Sequence, residues 1–249
     1  MKRILWMMLM NLVHVPRVLF QLLTRAAHPE RYTIEQRYSV IHEIAERGIK
    51  GGRVDVVSTG LEKLPKEGGY ILYPNHQGLF DVMVLIDLHQ EPISVVLKQE
   101  LTKIPLLKQI IQCLGALALD RSDARQGLQI VLQVAEDVKK GGRYIIFAEG
   151  TRSREGNRVQ EFKGGSFKSA TKAKCPIIPV AIIDSYKVMD TGSIERVTVQ
   201  AHFLDPIPYE EYKDMKTTKI AEEVRRRIEE KIAAESGERI EEKSTAVGN

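Results

Sequence analysis

The sequence predicts an α/β fold, in which a mixed, mostly parallel sheet is flanked by helices. Short apolar runs, such as 144–147 and 177–183, have the length and composition of buried strands. They alternate with segments of helical periodicity, such as 124–140, and strands that alternate with helices indicate a layered α/β fold. With 249 residues, 43% of them hydrophobic, the chain is long enough for one large core.

Residues 1–50 are predicted to form a helical, membrane-associating segment. The stretch 4–23 is mostly apolar, but Pro16 and Arg17 lie in its middle. A charge inside hydrocarbon costs several kcal/mol, so a membrane span is not favoured. The polar side chains instead share one arc of a helical wheel, as in a helix that lies in the headgroup plane: Asn11, His14, Arg17, Gln21 and Arg25. Three further side chains suit the membrane interface: Lys2, Arg3 and Trp6. The alternative is an amphipathic helix packed on its own domain.

Residues 51–234 are predicted to form the α/β domain. Apolar or alternating runs between turn residues predict strands at 54–57, 70–73, 93–97, 117–119, 144–147, 177–183 and 197–203. Helical periodicity predicts helices at 34–47, 78–88, 105–112, 124–140, 165–173 and 218–234. We expect Gly48 and Gly141 to end the helices before them, and Ser122 to cap the helix at 124. The polar residues 235–249 are expected to form a disordered tail.

Composition and motifs argue against several classes of protein. The formal charge is only +4, but basic residues cluster in one stretch, which favours an anionic ligand or surface there: Arg152, Arg154, Arg158, Lys163, Lys168, Lys172 and Lys174. No zinc-ligand spacing or RNP-like strand supports nucleic-acid binding. Walker A, G-x-G-x-x-G and G-x-S-x-G motifs do not occur, so nucleotide-driven, hydride-transfer and serine acyl-enzyme mechanisms lack support. Cys113 and Cys175 are isolated and fit a reducing compartment, and His42-Glu43 lacks the second histidine of a zinc motif.

A histidine and an aspartate follow the second predicted strand at a spacing that suits general-base chemistry. His76 lies in the loop after 70–73, and Asp81 lies five residues later, in the first turn of the next predicted helix. Within a regular helix these side chains would point about 140° apart, so they can meet only if His76 stays in the loop. Asp81 bonded to one ring nitrogen would leave the other free to take a proton from a hydroxyl group. A loop histidine beside a helix-capping aspartate is the alternative interpretation.

The segment Glu149-Gly150-Thr151-Arg152 follows the strand 144–147 and is predicted to bind an anion. Ligands of such sheets bind beyond the strand ends, where this segment and His76 both lie. Gly150 lets the backbone approach a ligand, the Thr151 hydroxyl can bond phosphate oxygens, and Arg152 can bind them bidentately. A surface turn with ordinary charges is the alternative. Three further basic residues are candidate phosphate contacts: Lys98, Arg121 and Lys163.

Four sequence blocks occur in a fixed order between residues 60 and 205: 75–81, 115–121, 147–153 and 178–180. Together they resemble the glycerolipid acyltransferase family, and within it the 1-acylglycerol-3-phosphate acyltransferases. Phe162-Lys163-Gly164-Gly165 and Lys98 also match elements of the family pattern. One departure is Ala148, where a proline is common, and it is expected to alter loop stiffness more than chemistry.

The resemblance implies acyl transfer from a thioester, acyl-CoA or acyl carrier protein, to the sn-2 hydroxyl of lysophosphatidate, which gives phosphatidate. It implies that His76 is the base and that Asp81 orients it. It also implies a set of residues that position the acceptor phosphate: Glu149, Gly150, Thr151 and Arg152, helped by Lys98, Arg121 and Lys163. Residues 178–180 are expected either to shape an acyl tunnel or to be plain sheet core. No metal and no cofactor are implied.

The expected partners are therefore acyl-CoA or acyl carrier protein, lysophosphatidate and an anionic membrane surface, with no nucleic acid. The expected location is the cytoplasmic face of a membrane, held peripherally by the N-terminal segment. Two alternatives remain. One is a related acyltransferase whose acceptor is glycerol 3-phosphate or a lysophospholipid, and the other is a non-catalytic module that binds anionic lipids.

Overall fold

A seven-stranded sheet forms the centre of the computed structural model, which describes residues 2–236. Its strands are β1 (Val54–Thr59), β2 (Tyr70–Pro74), β3 (Ser94–Lys98), β4 (Leu117–Leu119), β5 (Arg143–Ile146), β6 (Ile177–Ile183) and β7 (Val197–Phe203). Their order across the sheet is β1-β7-β6-β2-β5-β3-β4, and every neighbouring pair is parallel except β6 and β7. The predicted mixed, mostly parallel sheet is confirmed.

Helices cover both faces of this sheet. Residues 2–236 contain α1 (Lys2–Met10), α2 (Val15–Ala27), α3 (Ile34–Gly51), α4 (Leu79–Leu88), α5 (Leu107–Leu114), α6 (Ala124–Lys139), α7 (Lys168–Ala173), α8 (Tyr186–Asp190), α9 (Tyr209–Tyr212) and α10 (Thr217–Ser236). Side chains of β2 alternate between two cores. Tyr70 and Leu72 belong to the core with α2 to α5, whereas Ile71 and Tyr73 belong to the core with α6, α7 and α10. β2 is therefore buried on both faces.

Two predicted helix boundaries are wrong for local reasons. Gly48 does not end α3, which continues for almost another turn. A Cβ at Gly48 would lie 2.3 Å from the side chain of Met83, so this glycine allows α3 and α4 to approach closely. Asp123, not Ser122, caps α6, because its carboxylate accepts hydrogen bonds from two backbone N–H groups at 2.9 and 3.0 Å. Ser122 instead donates to the carboxylate of Asp120.

The remaining predicted elements are present, with ends that differ by a few residues. The strands at 177–183 and 197–203 have the predicted bounds. α8 and α9 are too short to be predicted from periodicity, and the predicted helix at 165–173 begins as a short 3₁₀ turn. α10 continues two residues beyond the predicted domain end at 234. The rest of the predicted tail, 237–249, lies outside the described residues.

The first part of the N-terminal segment, residues 2–27, forms two helices. α1 and α2 are bent by 98° at the break between them. No single helix within residues 2–236 has the length and apolar composition to cross a membrane. The two helices of this bent pair have that length and composition when taken together.

Two polar side chains near the start of the N-terminal segment bind other parts of the chain instead of facing outward. The Arg3 guanidinium is buried and donates to the carbonyl oxygens of Gly52 and Glu195, at 2.6 and 2.8 Å. The amide of Asn11 donates to the backbone of α1 and to the carbonyl oxygen of Arg47, at 3.1 Å. The expectation that Arg3 faces the membrane interface is therefore wrong, because it joins α1 to the domain.

The opposite surface of α1 and α2 exposes large apolar side chains. Val13 is 88% exposed and Phe20 is 68% exposed. The same surface includes Ile4, Leu5, Met8, Leu9, Met10, Leu12 and Leu23. The segment thus combines one side packed on the domain with one uncovered apolar side.

Candidate active site

The register of two central strands brings the two predicted motifs together. β2 and β5 are parallel neighbours, and Leu72 is paired with Ile145. His76 lies four residues beyond Leu72, and Glu149 lies four residues beyond Ile145. Since parallel strands end at the same edge, both loops begin at the same height above the carboxyl edge of the sheet.

His76 and Asp81 form a hydrogen-bonded pair at this edge. Nδ1 of His76 lies 2.8 Å from Oδ2 of Asp81, and the same oxygen accepts from the backbone N–H groups of Gln77 and Gly78 at 2.7 and 2.8 Å. The aspartate is fully buried in the first turn of α4. Because an ionised carboxylate can only accept, Nδ1 carries a proton and Nε2 is left with a free lone pair. The His76 ring also packs on Phe147, with ring centroids 4.1 Å apart. The pairing that the spacing predicts is present, and its role in proton transfer stays a prediction.

Glu149 lies behind the His76 loop rather than in front of it. Its side chain is only 3% exposed, and Oε1 accepts a hydrogen bond from the backbone N–H of His76 at 2.8 Å. Burial raises the pKa of this carboxyl to about 7. The expectation that Glu149 contacts a phosphate needs correction, because the carboxyl faces the chain and would repel an anion.

A cleft of about 400 Å³ opens between the carboxyl edge of the sheet and the helices α4 and α5. Six of the predicted site residues line it: His76, Lys98, Arg121, Gly150, Thr151 and Arg152. Its other lining residues are largely apolar, with examples Leu79, Val82, Leu101, Ile110 and Phe147. An apolar cleft with a basic rim and an imidazole suits a ligand that combines an acyl chain with an anionic group.

Two of the basic rim residues already have acidic partners. Arg152 lies 3.1 Å from Asp190 at the end of α8, and Lys98 lies 2.8 Å from Glu100. All four side chains are about half exposed, and such pairs contribute only about 0–1 kcal/mol. Arg121 makes no ion pair within the described part of the chain. An incoming anion can therefore displace these partners at little cost.

The turn after β5 has a backbone conformation that requires its glycine. Gly150 has a φ of +76°, in the left-handed region that other residues rarely adopt. The Lys163 amine lies 3.0 Å from the point where a Cβ on Gly150 would stand, so any side chain there would displace it. Thr151 donates its hydroxyl to the side chain of Gln160 at 3.2 Å. Lys163 is thus next to the turn but does not line the His76 cleft.

Lys163 instead lines an adjoining groove of about 300 Å³ on the other face of β3 and β5, and Arg121 lines both this groove and the His76 cleft. This groove runs beneath α6, where Gly127 lies inside the helix and lines it. A Cβ on Gly127 would meet only one atom within 4 Å, Cδ1 of Leu119 at 3.8 Å. Residues 178–180, by contrast, lie in β6 and are buried in the sheet, so their expected role in a tunnel is replaced by the sheet-core alternative.

A buried amide network, which sequence reasoning missed, holds the His76 loop on the end of β6. Asn75 donates to the carbonyl oxygen of Ile182 at 2.9 Å and accepts from its N–H at 2.7 Å. Gln77 donates to the same carbonyl and to Asn157, and accepts from the N–H of Tyr186. The signal in the sequence is a pair of amides that flank the histidine directly after a buried strand, where polar groups need partners.

Within the described residues the structure shows no metal site, and the predicted site residues do not line the largest of the clefts named here. Within residues 2–236, no cluster of three or more histidine, cysteine or acidic side chains could hold a metal ion. A larger cleft of about 890 Å³ lies at the opposite, amino-terminal edge of the sheet, and its lining contains none of the predicted site residues. Cys113 and Cys175 are both buried and free.

The fold and site define a class of protein in which a histidine–aspartate pair and a turn with basic neighbours meet at one edge of an α/β sheet. A sequence model described as acyltransferase matches residues 55–183, which is more than half of the chain. The chain therefore belongs to the acyltransferase family, and the resemblance of its sequence blocks is confirmed.

Relatives and a solved structure carry more specific names. A chloroplastic 1-acyl-sn-glycerol-3-phosphate acyltransferase of Brassica napus is 35% identical over 135 residues, which are 54% of this chain and 39% of that protein. A 1-acyl-sn-glycerol-3-phosphate acyltransferase of Escherichia coli is 31% identical over 66% of each protein. The chain thus spans less than half of the plant relative. The crystal structure of the 1-acyl-sn-glycerophosphate (LPA) acyltransferase PlsC from Thermotoga maritima is similar, with a TM-score of 0.70 and 26% identity over 91% of this chain and 93% of that chain.

Proposed function

We propose that this protein transfers an acyl chain from a thioester donor to the sn-2 hydroxyl of 1-acylglycerol 3-phosphate and thereby makes phosphatidate. The observation that carries this proposal is the His76–Asp81 pair in an apolar cleft whose rim is basic. The names of the relatives and of the similar solved structure support the same acceptor.

In the proposed reaction, Nε2 of His76 removes the proton of the acceptor hydroxyl as its oxygen attacks the thioester carbonyl. A C–O bond forms, the C–S bond breaks, and the imidazolium returns the proton to the departing thiolate. Asp81 keeps Nδ1 protonated and stabilises the imidazolium that forms between these steps. The reaction uses no metal or cofactor, since the proton moves between hydroxyl, histidine and thiol.

The acceptor phosphate is proposed to bind at the basic rim of the cleft. Arg152 would leave Asp190 and bind the phosphate bidentately, with the Thr151 hydroxyl and the backbone of Gly150 beside it. Three further cations would share the charge from the neighbouring loops: Lys98, Arg121 and Lys163. Arg121 and Lys163 make no ion pair in the described part of the chain, so both can bind the phosphate without losing one.

The N-terminal helices are proposed to hold the enzyme on the cytoplasmic face of a membrane. Their uncovered apolar side chains, such as Val13 and Phe20, suit insertion into the region between headgroups and acyl chains. α2 packs against α5, which lines the cleft, so membrane lipid would lie close to the cleft entrance. The thioester donor, acyl-CoA or acyl carrier protein, would arrive from the aqueous side.

The test is an assay of purified protein with labelled lysophosphatidate and either acyl-CoA or acyl carrier protein as donor. We expect phosphatidate to form and the His76→Ala variant to lose this activity while it still binds anionic vesicles. Glycerol 3-phosphate and larger lysophospholipids are tested as acceptors in parallel. Faster reaction with one of these would replace the proposed acceptor, and unchanged activity of His76→Ala would eliminate the proposed base.

A further inference from the structure

His76 is held by hydrogen bonds on both sides of its backbone. Its N–H donates to Oε1 of Glu149 at 2.8 Å, and its carbonyl oxygen accepts from the N–H of Ser153 at 2.8 Å. Glu149 and Ser153 belong to one short segment, and the residues between them, 150–152, form the proposed phosphate-binding turn. The base and the turn are therefore joined at two points.

Glu149 is an unfavourable choice for the stability of the fold at this position. The carboxyl is buried, no cation pairs with it in the described part of the chain, and the backbone N–H groups of His76 and Gln160 lower its pKa less than burial raises it. A buried carboxylate without a counter-ion costs free energy, and an amide would accept the same backbone hydrogen bond without a charge. The carboxylate oxygen does make a stronger hydrogen bond than a neutral one.

We propose that Glu149 is a positioning residue that, with the backbone of Ser153, fixes His76 at a set distance from the acceptor phosphate. This inference rests on the proposed function. In the acceptor, the reacting hydroxyl and the phosphate lie on adjacent carbons of glycerol, so their separation varies little. A base and a phosphate site that are fixed to each other can hold both groups of such an acceptor in the reactive arrangement. Glu149 thus acts through the histidine, and it does not touch the substrate.

Two variants of nearly equal size separate this role from phosphate binding. Glu149→Leu removes the acceptor oxygen, whereas Glu149→Gln keeps one. We expect Glu149→Leu to lower kcat about 100-fold, the effect of roughly 1 Å of misplacement, with KM for lysophosphatidate changed less than about threefold. Glu149→Gln should recover only part of kcat, because an amide oxygen accepts a weaker hydrogen bond than a carboxylate. Glu161→Gln, an exposed glutamate of the same loop region, is the matched control and should behave as wild type.

The opposite kinetic pattern would overturn the proposal. A rise in KM with kcat unchanged would mean that Glu149 helps to bind the acceptor. Equal losses in Glu149→Gln and Glu149→Leu would mean that the hydrogen bond to His76 is not what matters.

A measurement without substrate tests the same contact if Glu149→Leu does not fold. The backbone amide proton of His76, observed by NMR in the folded wild type, should be shifted downfield and protected from exchange. At pH 8 this downfield shift should be smaller in Glu149→Gln, because an amide oxygen accepts a weaker hydrogen bond than a carboxylate. An unprotected amide, or an amide shift that is the same in Glu149→Gln as in the wild type, would refute the contact. This readout is independent of whether lysophosphatidate is the acceptor, so failure of the proposed function and failure of this inference are distinguishable.

Discussion

Asp81 has two separate roles in the structure, and substitutions can separate them. Its Oδ2 accepts from the ring of His76, the contact that the proposed reaction uses, and from the backbone N–H groups of Gln77 and Gly78, which stabilise the fold. All three donors meet one oxygen of a fully buried side chain. We compare Asp81→Ala, Asp81→Asn and His76→Ala.

The expected stabilities follow from the donors that each variant leaves without a partner. Asp81→Ala orphans two buried backbone N–H groups, each worth about 1–3 kcal/mol, so the free energy of unfolding should fall by about 2–6 kcal/mol. Asp81→Asn keeps an oxygen for these donors and should cost less than about 2 kcal/mol. His76→Ala leaves both backbone bonds intact and should cost about 1 kcal/mol or less.

The expected activities have a different order. His76→Ala removes the proposed base, and Asp81→Asn removes the charge that stabilises its protonated form, so kcat should fall about a thousandfold in Asp81→Asn with little change in KM. Urea unfolding and initial rates with lysophosphatidate measure the two properties on the same samples. The assignment of two roles would be refuted if Asp81→Ala were as stable as His76→Ala. It would also be refuted if Asp81→Asn had the wild-type kcat.

Four further outcomes follow from the structure. Asp190→Asn should free Arg152, lowering KM for the acceptor with less than about 1 kcal/mol change in stability; an unchanged KM would place the phosphate elsewhere. Phe20→Asp should reduce sedimentation with anionic vesicles without lowering Tm, since the side chain is 68% exposed; undiminished binding would contradict the proposed membrane surface. Gly127→Ala should stabilise α6 by up to about 1 kcal/mol, measured by urea unfolding, because its Cβ would make one ordinary van der Waals contact, with Leu119; destabilisation would reveal a clash. The pKa of Glu149 in the folded protein, about 7, exceeds its ordinary 4.5, so the stability that the protonated carboxyl contributes below pH 4.5 is lost as pH rises through 7. Between pH 5 and 8, the free energy of unfolding of Glu149→Gln should therefore rise relative to that of the wild type by up to about 3 kcal/mol. A difference that stays constant with pH would contradict the raised pKa.

The fold could be predicted from the sequence because its central strands are chemically unambiguous. A run such as 177–183 is apolar at every position, and only a strand buried on both faces suits it. The helix ends were harder to predict, because adjacent residues compete for the same role. Ser122 and Asp123 are both good N-caps, and the choice depends on Asp120, which engages the serine. Gly48 is ambiguous for another reason, since its need for glycine comes from the distant Met83.

The site could be predicted only in part, because sequence spacing does not show which way a side chain points. His76 and Asp81 are near neighbours in the chain, so local geometry was enough to predict their contact. Glu149 belongs to the anion-binding turn by sequence, yet its side chain points back at the His76 backbone, a contact between residues 73 positions apart. The expectation for Arg3 was wrong for the same reason, since its hydrogen-bond partners Gly52 and Glu195 lie in loops far along the chain. Long-range contacts of this kind depend on the order of the strands across the sheet, which the alternation of strands and helices along the chain does not specify.

The distances at the site are set by residues that take no part in the chemistry. His76 and Glu149 meet because Ile71 pairs with Tyr144 and Leu72 with Ile145. A slip of one residue in this register would move the two loops apart by about 3.3 Å, more than a hydrogen bond tolerates. The same slip would turn every side chain of the slipped strand to the opposite face, and the two cores of the sheet hold different partners for them. The cost of repacking both cores therefore protects the contact between His76 and Glu149, so the buried strands fix the geometry on which the proposed base depends.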